Sequence, residues 1–164
     1  MPHDVSLTID EPFESHVDSA WLLSLAQHFL ELLPSPGNLD ILVTGDDVIS
    51  ELNAEYLGEE GTTDVLSFPA RDYDAEEDDF VWPANMVAPL GEVVLCGPQA
   101  ERQALALGHG VKAELAHLLV HGVLHLLGYD HVEPEEEREM RGLEDAYLAQ
   151  LMPDAPTPVH GHEH

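Results

Sequence analysis

Four histidines, His117, His121, His125 and His131, most constrain what this chain can fold into. The first three recur every fourth residue within the apolar stretch from Leu115 to Leu127. That spacing predicts a helix on which their imidazoles share one face, a turn apart. Two imidazoles so placed on one rigid element are what a divalent metal needs from its first two ligands. Gly128 follows where a residue of positive φ would end the helix and turn the chain back. His131, six residues after His125, is then placed to meet the same ion from the other side. A fold that uses this run must bury one helix, stop it at Gly128 and return at once.

Counted from His121, the run reads H-G-x-x-H-x-x-G-x-x-H. This is the ligand and glycine spacing of the metzincin signature, H-E-x-x-H-x-x-G-x-x-H. The glutamate that serves there as general base is Gly122 here, and glycine cannot take a proton. The spacing supports a metal; the missing glutamate argues against peptide hydrolysis by that route. Three protein ligands leave a fourth position for water, the catalytic rather than the structural arrangement of zinc. Cys96, the single cysteine, cannot supply a structural set. Imidazole ligands also suit nickel, copper and iron, so the spacing does not name the metal.

Three ligands on one straight helix would spread over about 11–12 Å, too far for one ion. His117 is therefore expected to be buried, or to support a ligand from behind. Asp130 is placed either to orient a ligand imidazole through its N–H or to cap the turn. Asp64 and Ser67 are candidates for hydrogen bonding near the site, with no assigned role. His160, His162 and His164 sit in a polar tail, where adventitious metal binding is the extent of their expected role.

The rest of the chain reads as strands and helices in alternation. Val5–Ile9 alternates apolar and polar residues as a half-buried strand does. Ser15 and Asp18 have the spacing of a capping box before a helix with Leu22, Leu25, Phe29, Leu32 and Leu33 on one face. Asp40–Thr44 is a second strand. A short helix follows, with Asp46 or Asp47 as its cap and Val48, Leu52 and Tyr56 on one face. Asp64–Phe68 and Glu92–Cys96 are the third and fourth strands, separated by an acid-rich segment from Arg71 to Pro89. Helical patterns cover 98–107 and 111–127. A last helix opens near Pro134 with Met140, Leu143, Tyr147 and Leu151 as its apolar stripe. The expected fold is α+β (α/β): one domain over 1–152, a four-stranded mixed sheet covered by about five helices. Residues 153–164 are expected to form a disordered, histidine-containing tail.

Charge narrows the function. Thirty-three acids against five bases give a net charge of −28, so no extended basic surface can form. Binding of nucleic acid by bulk electrostatics is disfavoured, because phosphate neutralisation normally supplies the non-specific affinity. One cysteine excludes an intrachain disulfide, and the N-terminus has no apolar signal core. No apolar run is long enough to span a bilayer. A soluble, cytoplasmic protein that engages no membrane is expected.

HGVLHLLGYDH, residues 121–131, resembles the hallmark of the YbeY family of bacterial rRNA-maturation endoribonucleases. Further segments agree in order: Leu52-Asn53 with Tyr56, Thr63 to Pro69, and Leu90 to Leu95 leading to Arg102-Gln103-Ala104. Together they cover most of residues 40–132. The resemblance implies an α/β fold and one Zn2+ per chain held by His121, His125 and His131, which would be catalytic through the metal. It also implies cleavage of single-stranded RNA in 3′-end maturation of small-subunit pre-rRNA and in ribosome quality control, with a ribosome or ribosomal protein as partner. One position departs: Leu57 stands where the family carries an arginine, and leucine can neither grip a phosphate nor offset charge. Two other readings stay open. One is a metal-containing ribosome-associated factor with little catalysis; the other is a metal-dependent hydrolase of another substrate.

Overall fold

Val5, Leu7 and Ile9 alternate with Ser6 and Thr8, and in the computed structural model this pattern forms strand β1 (Asp4–Ile9). The structure describes residues 4–13, 17–33, 38–58, 61, 63–69, 89–108, 110–127 and 134–152. Within them, helix α1 (Ser19–Leu32) carries the chain from β1 to strand β2 (Asn38–Thr44), which pairs parallel to β1. Helix α2 (Asp46–Leu52) and a π-helical turn (Asn53–Leu57) precede strand β3 (Val65–Pro69). Strand β4 (Pro89–Cys96) then enters between β2 and β3, parallel to the first and antiparallel to the second. The sheet order is β1-β2-β4-β3. Helices α3 (Gly97–Leu107), α4 (Val111–Leu126) and α5 (Pro134–Leu151) complete the fold. Four strands in a mixed sheet with five α-helices match the expected class.

Register assigns the two faces of the sheet. The rows Leu7–Ile41–Val93–Ser67 and Ile9–Val43–Leu95–Val65 point to one side. There α1 packs on β1, α4 packs on β3 and β4, and α5 lies against both helices. The intervening rows, Thr8–Leu42–Val94–Leu66 and Ser6–Asp40–Glu92–Phe68, face the other way. On that side a smaller cluster of Ile49, Leu66, Val94 and Cys96 gathers under α2. Helix α4 is buried over 12 of its 16 residues, so it is the spine of the larger core.

Several local expectations shift. Asp18 is itself the N-cap of α1, accepting from the Trp21 N–H at 3.1 Å; Ser15 lies outside the described residues. The cap of α2 is Gly45, with Asp46 and Asp47 in the first turn. Glycine suits position 45 because a Cβ there would sit 2.6 Å from the Phe13 ring. In α2 the buried residue is Ile49, whereas Val48 and Tyr56 are turned outward. In α5 the fully buried positions are Met140, Glu144 and Leu148, flanked by the half-buried Leu143, Tyr147 and Leu151. The acid-rich segment over 70–88 and the tail over 153–164 lie outside the described residues.

Candidate functional site

Helix α4 sets His121 and His125 one turn apart, and the rings meet edge to face with centroids 4.6 Å apart and planes at 76°. Their Nε2 atoms are 3.1 Å from each other. His121 is buried and His125 only partly so, which leaves the pair open to solvent on the His125 side. Two imidazole nitrogens bound tetrahedrally to one zinc ion at 2.0–2.1 Å would be about 3.3 Å apart. The observed separation is close to that distance. His131, the third expected ligand, and Asp130 lie outside the described residues.

Behind the pair stands a residue the sequence pattern did not single out. Glu144 of α5 is 2% exposed and receives both neighbouring histidines: His121 Nδ1 at 2.7 Å from Oε1 and His117 Nε2 at 2.9 Å from Oε2. Burial pushes the Glu144 carboxyl up, but hydrogen bonds from His117 and His121 outweigh it and hold it well below the usual carboxylate range. An ionised carboxylate only accepts, so it fixes the proton of His121 on Nδ1 and leaves the Nε2 lone pair facing His125. Support of this kind sets the tautomer and raises the basicity of a metal-binding imidazole. His117 thus lies behind the pair, joined to His121 through Glu144. The signal for Glu144 was its position four residues from both Met140 and Leu148, on the buried line of α5.

Asp64 directly precedes β3, and Ser67 lies in its middle. The Ser67 hydroxyl donates to the Gly122 carbonyl at 2.9 Å, so it grips the helix backbone between the two histidines. The Asp64 carboxylate accepts from Gln103 Nε2 at 3.1 Å, and the same amide donates to Glu114 Oε2 at 2.6 Å. Asp64 is thereby tied through α3 to the first turn of α4. Its backbone carbonyl also accepts from Cys96 N at 2.9 Å, which fixes the entry to β3 beside the end of β4.

Gly122 has a packing explanation. A Cβ there would lie 2.9 Å from Val93 Cγ1 and 3.2 Å from both Ser67 Oγ and Val65 Cγ2. Position 122 therefore faces the sheet, where a larger side chain would crowd Val93, Val65 and Ser67. Gly122→Ala should gain about 1 kcal/mol of helix propensity and lose about 1–3 kcal/mol to overpacking. The expected result is a net loss of about 1 kcal/mol in denaturant unfolding; an alanine variant more stable than the parent would refute the close packing.

Three of the five bases have carboxylate partners. Arg102 is held by Asp46 in two contacts of 2.6 and 3.2 Å. Lys112 sits 3.8 Å from Asp18 and over the Trp21 ring, and Arg141 pairs with Glu137 at 2.7 Å. Arg71 lies outside the described residues, and of Leu57 only the backbone is described.

Comparison with known proteins agrees with this architecture. A family model described as Endoribonuclease YbeY matches residues 8–152. The chain is similar to the Endoribonuclease YbeY of Dehalococcoides mccartyi strain CBDB1, at 40% identity over 154 residues, covering 90% of this chain and 93% of that protein. It is also similar to the Endoribonuclease YbeY of Parafrankia sp. strain EAN1pec, at 42% identity over 141 residues, covering 80% and 84%. The Endoribonuclease YbeY of Salinispora tropica is 40% identical over 149 residues, covering 88% and 95%. In fold, the chain resembles the solution structure of TM1509 from Thermotoga maritima, with a TM-score of 0.56 and 22% identity over 92% of this chain and 90% of that one.

Proposed function

The chain belongs to the Endoribonuclease YbeY family, and from that membership we propose that it cuts single-stranded RNA internally, using one zinc ion held by His121, His125 and His131. The observation that carries the metal is the convergence of two Nε2 atoms at 3.1 Å, with a buried carboxylate behind one of them. A bound divalent ion supplies Lewis acidity toward a phosphodiester oxygen and lowers the pKa of water. The chain's own residues do the rest. Glu144 holds His121 in the ligating tautomer, Ser67 fixes the helix turn between the histidines, and Gly122 lets that turn lie against β3 and β4.

In this reading the substrate is pre-rRNA, cut during 3′-end maturation of the small-subunit RNA and in ribosome quality control. Its place of work is the cytoplasm. With a net charge of −28 against five bases, docking through a ribosomal protein is the route to the RNA that the charge favours. Among the described residues, no helix is long and apolar enough to cross a membrane.

The test is cleavage of an unstructured RNA oligonucleotide and of its duplex, before and after chelation. The expected result is cleavage of the single strand, loss on chelation, and recovery with about one equivalent of zinc per chain. Cleavage that survives complete chelation would refute metal dependence. A tightly metal-bound protein that cuts no RNA would favour a ribosome-associated factor.

A further inference from the structure

On the sheet face opposite α4 lies an aromatic pair. Tyr56 ends the turn after α2 with 61% of its surface exposed, and it meets Phe68 edge to face at 5.4 Å and 70°. Phe68 is half-buried against the cluster of Ile49, Leu66, Val94 and Cys96, so it forms a fixed prop. The turn itself is fastened, because the buried Asn53 donates from Nδ2 to the Gly61 carbonyl at 3.1 Å. A π-helical turn of this kind often marks a functional site.

Strand β3 links this surface to the histidines. Ser67 and Phe68 are adjacent and point to opposite faces: Ser67 grips the carbonyl of Gly122, and Phe68 props Tyr56. Among the described strands β3 lies at the edge of the sheet, which gives a route from one face to the other that does not cross the sheet. The charge balance then selects the kind of contact. With five bases against thirty-three acids, the chain has little positive charge to offer phosphates. Base stacking on an aromatic ring needs no positive charge and tolerates any base.

We propose that Tyr56, propped by Phe68, is a stacking platform for a nucleobase of the single-stranded RNA that enters the metal centre around the edge of β3. This rests on the endoribonuclease reading. Stacking, rather than phosphate neutralisation, then supplies most of the affinity outside the metal centre. The affinity should depend only weakly on salt, unlike that of proteins that neutralise many phosphates.

The experiment measures binding of a fluorescein-labelled, unstructured RNA oligonucleotide by the full chain, together with its cleavage. Tyr56→Ala should weaken binding by about tenfold and raise KM similarly, while Tyr56→Trp restores both. Circular dichroism checks that the alanine variant folds. An unchanged affinity in Tyr56→Ala, from a parent that cleaves RNA, would overturn the platform, leave the nuclease standing and assign the patch to protein docking. A steep loss of affinity with salt would overturn it as well. Binding that depends on Tyr56 in a parent that cleaves no RNA would instead keep the platform and sink the nuclease.

Discussion

Replacing His125 with alanine should reduce cleavage of single-stranded RNA by at least about a hundredfold, equivalent to about 3 kcal/mol at the transition state. The residue is only partly buried and sits near the end of α4, so its removal leaves the core untouched. Unfolding free energy should change by no more than about 1 kcal/mol without metal. Metal content should fall with activity, because one of the two converging Nε2 atoms is gone. Mass spectrometry of the native protein or elemental analysis reads the stoichiometry, and a single-turnover assay reads the cleavage. A variant that keeps both full metal content and full activity would exclude His125 as a ligand.

The second large effect is expected at Glu144, and it differs in kind. Its carboxylate lies between two buried imidazole nitrogens at 2.7 and 2.9 Å. Removing one partner of such a buried, charge-assisted pair leaves the others unsatisfied, and Glu144→Ala should destabilise the fold by about 3 kcal/mol. For a chain of this length that lowers Tm by about 6–12 °C. Metal affinity should drop by about 10–100-fold, since His121 loses what fixes its tautomer. Glu144→Gln separates the contributions: it keeps the volume, but its amide accepts from one imidazole N–H while its NH2 opposes the other. The glutamine variant should therefore fall between parent and alanine in both stability and affinity. Equal stability of parent and Glu144→Ala would show that the buried carboxylate contributes no net stability.

These two residues also show how unevenly the site is written in the sequence. His121 and His125 are legible because a four-residue period on a helix converts directly into a shared face. The strand pattern of β1 is equally direct, since a period of two leaves one reading of its faces. Glu144 was hidden among the many acids of α5, where glutamate is the expected surface residue; only its phase with Met140 and Leu148 distinguishes it. Gly122 looked like a missing catalytic base because spacing describes the helix alone. Which side of α4 meets Val93 and Ser67 depends on how the helix lies on the sheet. The insertion of β4 between β2 and β3 is likewise a tertiary fact, joining segments whose local patterns carry no information about partners.

The position of Glu144 has a consequence for how the molecule fails. The histidine pair belongs to the most deeply buried helix, but the carboxylate behind it belongs to α5, which touches the rest through α1 and α4 and adds no strand to the sheet. An element packed in that way can detach as a cooperative unit while the remaining hydrogen-bonded network persists. Each such excursion strips both imidazoles of their shared acceptor at once. The support that the site draws from Glu144 thus lasts only while α5 stays docked. Amide exchange along α5, compared with that along α4, would measure how often it undocks.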